Sequence, residues 1–239
     1  MSKIVKPYET KESKKVQIQS MFNKIAHRYD FLNHVLTFGL DFYWRKKAVL
    51  VLREPKKILD VATGTGDFAI SSFKYTDASI VGIDIAENMI ELGRKKINKK
   101  GMGHRIELKI ADSEALPFSD EEYDAVTIGF GVRNFQDLNK GLKEVYRVMK
   151  KDSIISILEP TSPKIFPIKQ LHNIYFNYVL PYFGGFISKD KDAYSYLSKS
   201  VGSFPSDEKF CNELKNVGFK NCRFIPLTFG TVNLYTAIK

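Results

Sequence analysis

The sequence predicts a doubly wound α/β fold built on one seven-stranded sheet, and two features carry this prediction. Residues 57–72 read as strand, glycine turn and helix, because an apolar run at 58–61 is followed at once by Gly64-Thr65-Gly66. Further apolar strands and amphipathic helices then alternate along the chain. The predicted strands are 58–61, 79–84, 106–110, 123–128, 153–159, 221–226 and 229–238, the last two forming a C-terminal antiparallel hairpin.

Length and composition describe an ordinary globular protein. The chain has 239 residues, 44% hydrophobic and 27% charged, which is enough for one α/β domain with a full core. Its two cysteines form no metal-like cluster and indicate a reducing compartment. Residues 1–15 are polar and do not resemble a signal peptide, and the apolar stretch 175–187 is too short to span a membrane. The net charge of +10 suits an anionic partner, either nucleic acid or a membrane surface, or simply a well-solvated surface.

Four parts follow from the order of the predicted elements. Residues 1–52 are expected to form an N-terminal helical lid, with a helix at 16–25, a polar and aromatic segment at 26–34 folded over the ligand, and a second helix capped by Asp41. Residues 53–159 form the cofactor-binding core. Residues 160–205 form an insertion rich in aromatic residues, suited to covering a greasy acceptor, and 206–239 form a closing helix and hairpin.

The glycine turn could serve several ligands. Gly64, Gly66 and Ala69 satisfy the loose dinucleotide pattern, with Asp84 some 20 residues later, but such a match is weak by itself. Asp67 lies where a pyrophosphate would need bare N–H groups and no anion. It suits a ligand with positive charge, such as the amino group and sulfonium of S-adenosylmethionine. The alternative is an acid that merely stabilises the first turn of a helix.

Acids at two further strand ends favour the adenosylmethionine interpretation. Asp84 can accept both ribose hydroxyls of an adenosine, and Asp112 can receive the exocyclic amine of adenine. The fourth strand runs into Gly129, after which Arg133 and Asn134 project where a methyl acceptor would lie. For Arg133 the alternative is an ion pair with Asp137 or Glu144.

Five segments together resemble one family, the quinone-biosynthesis C-methyltransferases, which are class I methyltransferases with a Rossmann-like fold. These segments are RYDFLNHVLTFGLDFYW at 28–44, DVATGTGD at 60–67, ADSEALPF at 111–118, TIGFGVRN at 127–134 and RVMKKDSIISILEPTSP at 147–163. The resemblance covers essentially the whole chain. It departs from the family pattern at Leu32, Thr37, Asp41 and the turn Lys151-Asp152-Ser153.

The resemblance implies transfer of a methyl group from S-adenosylmethionine to a ring carbon of a prenylated quinol. Demethylmenaquinol is the expected acceptor; the alternatives are a ubiquinone precursor, a nucleic-acid methyltransferase, or a quinone-handling protein without catalysis. The expected partner is the lipid-soluble quinol, with no nucleic acid, and both membrane-surface contact and a homodimer stay open. The expected location is cytoplasmic, with the inner face of the cytoplasmic membrane as an alternative.

The predicted site has a catalytic set and a cofactor-binding set, and no metal. Arg133 is expected to stabilise the developing phenolate, with Asn134 and Tyr29 as hydrogen-bonding neighbours. No histidine is an obvious general base, and His27 and His34 are kept as alternatives. The residues expected to bind the cofactor are Asp60, Gly64, Thr65, Gly66, Asp67, Asp84, Asp112, Ser113 and Gly129.

Overall fold

A seven-stranded sheet organises the protein, as seen in a computed structural model that describes residues 5–175, 178 and 191–239, with 191–194 as backbone alone. The strand order is β3-β2-β1-β4-β5-β7-β6, with β7 antiparallel to both of its neighbours and the other pairs parallel. The strands are β1 Lys57–Val61, β2 Ser79–Asp84, β3 Ile106–Ile110, β4 Tyr123–Gly129, β5 Met149–Pro160, β6 Lys220–Leu227 and β7 Val232–Ile238. The predicted fold class, including the C-terminal antiparallel hairpin, is confirmed.

Helices cover both faces of this sheet. They are α1 Lys14–Leu36, α2 Leu40–Val49, α3 Asp67–Tyr75, α4 Glu87–Lys99, α5 Leu138–Val148, α6 Ile168–Ile174, α7 Lys191–Ser203 and α8 Glu208–Val217, with short 3₁₀ turns at Val132–Asn134 and Thr228–Gly230. Successive residues of β1 show the two faces. Ile58 packs with α2, α3 and α4, whereas Leu59 and Val61 pack with α5 and α8.

The central strands are mostly apolar because both of their faces are covered, and Asp60 and Thr127 are the buried polar exceptions in β1 and β4. In β1, Ile58 to Val61 are all buried, and in β4 Ala125 to Ile128 are buried as well. The parallel strands β1, β2, β3 and β4 therefore bring their carboxyl ends to one edge of the sheet. In a doubly wound sheet this edge is where a ligand binds.

The N-terminal region differs from its prediction. The first helix does not end near Ile25 but continues to Leu36, so that the segment 26–34 is helical. Its start is capped by Ser13, whose hydroxyl accepts a hydrogen bond from the backbone N–H of Val16 at 3.3 Å. Asp41 does not cap α2 but lies in its first turn, where it is buried. Gly39, with φ of 73°, takes the N-cap position instead.

Part of the predicted insertion lies outside the described residues, including Phe176, Val179, Leu180, Tyr182, Phe183 and Phe186. The described part contributes α6 and α7. Among the residues that the structure describes, no helix combines the length and the apolar character needed to cross a bilayer.

Candidate active site

The loop after β1 has several residues with positive φ, and the carboxylates of Asp60 and Asp84 hold it in place. Ala62, Gly64 and Gly66 all have positive φ, at 55°, 56° and 83°. The carboxylate of Asp60 accepts hydrogen bonds from the hydroxyls of Thr63 and Thr127, the second at 2.8 Å. Burial raises the pKa of Asp60 to about 6, against the lowering effect of these two hydrogen bonds. Through these hydrogen bonds, Asp60 fixes the loop residue Thr63 to the strands β1 and β4.

Asp84, at the end of β2, fixes the same loop from the side. One carboxylate oxygen accepts from the backbone N–H of Gly64 and the other from that of Ala86, both at 2.9 Å. Burial raises the pKa of Asp84, and these backbone hydrogen bonds act in the opposite direction. Each oxygen keeps a second lone pair, so the carboxylate can still accept from the two hydroxyls of a ribose.

A cavity of about 70 Å³ lies at the carboxyl ends of the strands, and we call it the cofactor cavity. The predicted residues that line it are Gly64, Asp84, Asp112, Ser113, Gly129, Asn134 and Tyr29. Four other members of the predicted cofactor set, Asp60, Thr65, Gly66 and Asp67, are not among its lining residues. The cavity therefore brings together the acids at the ends of β2 and β3 and the glycine backbone, the groups that were expected to contact the adenosine of S-adenosylmethionine.

Two lysines at the start of α1 contact the strand-end loops around this cavity, and only Lys15 lines it; neither was predicted from the sequence. Lys15 Nζ lies 2.6 Å from a carboxylate oxygen of Asp112 and 3.1 Å from one of Glu114. Lys14 Nζ donates to the carbonyl oxygens of Arg133 and Phe135, each at 2.8 Å. The acid expected to receive the adenine amine is therefore paired with a cation of the chain itself.

Asp67 was expected to face a positive ligand, but cations of the chain surround it. Lys96 Nζ lies 2.7 Å from one oxygen, and Arg45 and His34 approach the other at 3.9 and 3.7 Å. Burial acts to raise the pKa of Asp67, and the cations outweigh it, so that the pKa stays below its ordinary value. Lys96 also bridges to α1 through Asp30, at 2.6 Å.

His34, Asp41 and Asp67 bring potential metal-binding atoms within 4.8 Å of one another. However, the two ring nitrogens of His34 face different carboxylates, Nδ1 toward Asp41 at 2.8 Å and Nε2 toward Asp67 at 3.7 Å. Arg45 contacts both acids as well. The arrangement is therefore that of a charge-compensated network joining α1 and α2 to the cofactor loop.

A second, larger cavity of about 410 Å³ adjoins the first, and we call it the acceptor cavity. Its wall is mostly apolar, with contributions from α1, α2, α6 and α7, and it includes Met21, Ile25, Leu36, Trp44, Leu171, Tyr175 and Leu197. The polar groups Arg133, Asn134 and Tyr196 interrupt this surface. Four residues line both cavities, namely Phe22, Tyr29, Phe130 and Asn134.

Arg133 forms an ion pair, but not with either of the acids considered from the sequence. Its guanidinium lies 2.9 Å from Glu159 at the end of β5 and donates to the carbonyl of Phe130. The alternative pairing was wrong because Asp137 caps α5 and Glu144 pairs with Arg147. The side chain of Arg133 is only 8% exposed, and its Nε has no hydrogen-bond partner among the described residues.

Other polar groups of the acceptor cavity come from several elements. Tyr29 of α1 is half-buried, and burial raises its pKa. Asn134 accepts a hydrogen bond from the hydroxyl of Tyr196 at 3.0 Å. Of the histidines considered as bases, His27 is exposed and His34 is engaged with Asp41, and neither lines the cavity. His172 does line it, and burial lowers its pKa.

The fold and the paired cavities define a class I methyltransferase. A solved S-adenosylmethionine-dependent methyltransferase of Thermotoga maritima has the same fold, with a TM-score of 0.65 and 18% identity over 92% of this chain and 99% of that one. Residues 9–239 match the ubiE/COQ5 methyltransferase family, and the chain belongs to it.

Relatives of nearly equal length carry names from one area of metabolism. The chain is 45% identical to a demethylmenaquinone methyltransferase of Bacteroides fragilis over 98% of this chain and 97% of the relative. It is 46% identical to a ubiquinone/menaquinone biosynthesis C-methyltransferase of Geotalea uraniireducens, over 93% and 96%. The predicted family, the enzyme class and the S-adenosylmethionine cofactor are confirmed, whereas the predicted roles of individual site residues stay predictions.

The position of Lys15 on Asp112 predicts a competition with the cofactor. Replacing Lys15 by Met should tighten S-adenosylmethionine binding by up to about fivefold, because a partly exposed ion pair worth about 0.2–1 kcal/mol no longer has to open. Isothermal titration calorimetry measures the change. Lys11→Met, which removes an exposed lysine four positions earlier, is the matched control. Weaker binding in Lys15→Met would show instead that Lys15 belongs to the closed cofactor site.

The buried carboxyl of Asp60 predicts a pH-dependent stability. Its pKa is higher in the folded protein, so the group stabilises the fold below about pH 4, and this contribution is lost as the pH rises through about 6. The loss is on the order of 3 kcal/mol, at about 1.4 kcal/mol per pKa unit. Urea unfolding of wild type and Asp60→Asn between pH 4 and 7 measures this loss. The free energy of unfolding of wild type should fall relative to that of Asp60→Asn as the pH rises. A constant difference would contradict the assignment.

Proposed function

We propose that this protein transfers the methyl group of S-adenosylmethionine to a ring carbon of demethylmenaquinol, a step in menaquinone biosynthesis. The names of its full-length relatives support this acceptor, and the size and apolar wall of the acceptor cavity fit a lipophilic ring with a prenyl tail. The observation that carries the proposal is that the cofactor cavity at the strand ends and the apolar acceptor cavity share one wall, at Phe22, Tyr29, Phe130 and Asn134.

The reaction needs a ring carbon to become nucleophilic. A quinol ring becomes so when an adjacent hydroxyl loses its proton and the oxygen pushes electron density into the ring. The cofactor, when bound, would supply an electrophilic methyl group: its methyl–sulfur bond breaks as the new carbon–carbon bond forms, S-adenosylhomocysteine leaves, and the methylated ring carbon then loses its hydrogen as a proton to restore the quinol. The two adjoining cavities bring the ring carbon close to that methyl group. The apolar wall excludes water, which strengthens every electrostatic contact made inside the cavity.

The chain then has to stabilise the phenolate. Arg133 offers a buried N–H donor at Nε that has no partner among the described residues, and its cation is held in place by Glu159. Asn134 and Tyr29 lie on the wall shared with the cofactor cavity, where they can bond the same oxygen or an adjoining hydroxyl. Donors that are in place before charge develops lower the barrier without any reorganisation.

Methyl transfer from labelled S-adenosylmethionine to short-chain demethylmenaquinol, beside a ubiquinone-type precursor, tests the function. We expect label in the naphthoquinol. Removing the donor while keeping the buried charge balanced, in Arg133→Gln with Glu159→Gln, should lower kcat by about 100-fold or more with cofactor binding retained.

The single variant Glu159→Gln is the matched control for this pair, since it keeps the guanidinium. Full turnover in the folded double variant would remove Arg133 from the mechanism. Label in the benzoquinol alone would move the enzyme to the ubiquinone branch. Label in neither acceptor, with cofactor binding intact, would refute quinol methylation and make nucleic acid the next acceptor to test.

We further propose that the mouth of the acceptor cavity rests on the inner surface of an anionic membrane, from which a long-tailed quinol can enter. Large apolar residues are exposed beside it, with Phe38 82%, Phe166 77% and Leu171 63% exposed. Phe38 and Leu171 line the cavity itself. Helices α2 and α6, which begin just after Phe38 and Phe166, also carry the exposed lysines Lys47 and Lys169, which suit acidic headgroups. The homodimer considered from the sequence stays a prediction.

Sedimentation with phosphatidylglycerol vesicles tests the membrane contact. Replacing both Ile165 and Phe166, which are exposed beside the cavity without lining it, by Ser should lower the bound fraction and raise KM for a long-tailed quinol in vesicles, while turnover of a short-chain quinol in solution is kept. Tyr75→Ser removes an exposed aromatic ring at the opposite edge of the sheet and should change neither quantity. Equal vesicle binding of the double variant and wild type would contradict this docking face.

A further inference from the structure

Tyr196 lies on α7, within the aromatic insertion that was expected to cover the acceptor, and it was assigned no individual role. Its side chain is 3% exposed, and its ring packs with α1 and Met89 of α4. Its hydroxyl reaches the acceptor cavity, where it donates to Asn134 Oδ1 at 3.0 Å. The two residues are 62 positions apart, so that only the folded chain brings them together.

We propose that Tyr196 is a positioning residue that sets which end of the Asn134 amide faces the acceptor. The inference rests on the proposed methylation of a quinol and names a further residue for it. A phenol has one proton to donate, and here that proton goes to the amide oxygen of Asn134. The amide oxygen is thereby engaged, and the NH₂ group, which has no hydrogen-bond acceptor among the described residues, is turned to the ligand.

The direction of this hydrogen bond matters because an amide can present either an acceptor or a donor. An acceptor facing the quinol oxygen would repel the negative charge that develops there, whereas two N–H donors stabilise it. Burial raises the pKa of Tyr196, so that the phenol keeps its proton and stays a donor across the physiological range. Asn134 and the Nε of Arg133 then offer donors from the same 3₁₀ turn.

A double-mutant cycle tests this coupling. Tyr196→Phe keeps the packed ring and removes only the hydroxyl. It should lower kcat for demethylmenaquinol by about tenfold, the contribution expected of one hydrogen bond, with the affinity for S-adenosylmethionine unchanged. In an Asn134→Ala background the same change should have no further effect, because Tyr196 acts through that amide.

Three results would overturn the proposal. Full kcat in Tyr196→Phe would show that the hydroxyl is not needed. An equal loss in both backgrounds would show that Tyr196 acts independently of Asn134. A loss accompanied by a lower melting temperature and weaker cofactor binding would indicate a purely structural role. A wild-type enzyme that binds cofactor but labels no quinol would instead refute the function itself, so the two failures are distinguishable.

Discussion

The carboxylates of Asp60, which is buried, and Asp84, which is half-buried, hold the loop after β1, and the floor of the cofactor cavity depends on them. Placing two carboxylates away from water is costly unless hydrogen bonds compensate. Here the compensation comes from Thr63 and Thr127 for Asp60, and from the backbone of the loop itself for Asp84. The same bonds that stabilise the charges therefore fix a backbone with positive φ, and the cavity is formed before any ligand arrives.

Helix α1 links the cofactor cavity to the acceptor cavity. Near its start, Lys14 and Lys15 bind the strand-end loops, and near its other end Asp30 binds Lys96 and Thr65 of the cofactor side. Between these ties, its residues Phe22 and Tyr29 line both cavities. Because α1 contributes to the walls of both cavities, a change in its position would alter both of them.

The strands and the strand-end acids could be predicted because their signals are local. An apolar run identifies a buried strand, and Asp84 and Asp112 follow directly after such runs. The length of α1 could not be predicted, since polar residues at 26–34 hide a helix whose contacts come from α4. The ion-pair partners of the site residues could not be predicted either. Lys15 lies 97 positions from Asp112, and Arg133 lies 26 from Glu159, so only the tertiary fold decides that both acids are compensated.

Charge compensation also explains how an apolar cavity can contain cations. Both Arg45 and Arg133 line the acceptor cavity, and each is paired with a buried acid, Asp41 and Glu159 respectively. Asp41 and Thr37, two positions that depart from the family pattern, hydrogen bond to each other at 3.0 Å and belong to this wall. Among the described residues that line the cavity, the charged side chains are thus all paired, and a neutral quinol would not have to strip an unpaired charge of water, which would be costly. Once a quinol hydroxyl loses its proton, the negative oxygen finds N–H donors already held in place, so the same wall favours the charged state over the neutral one.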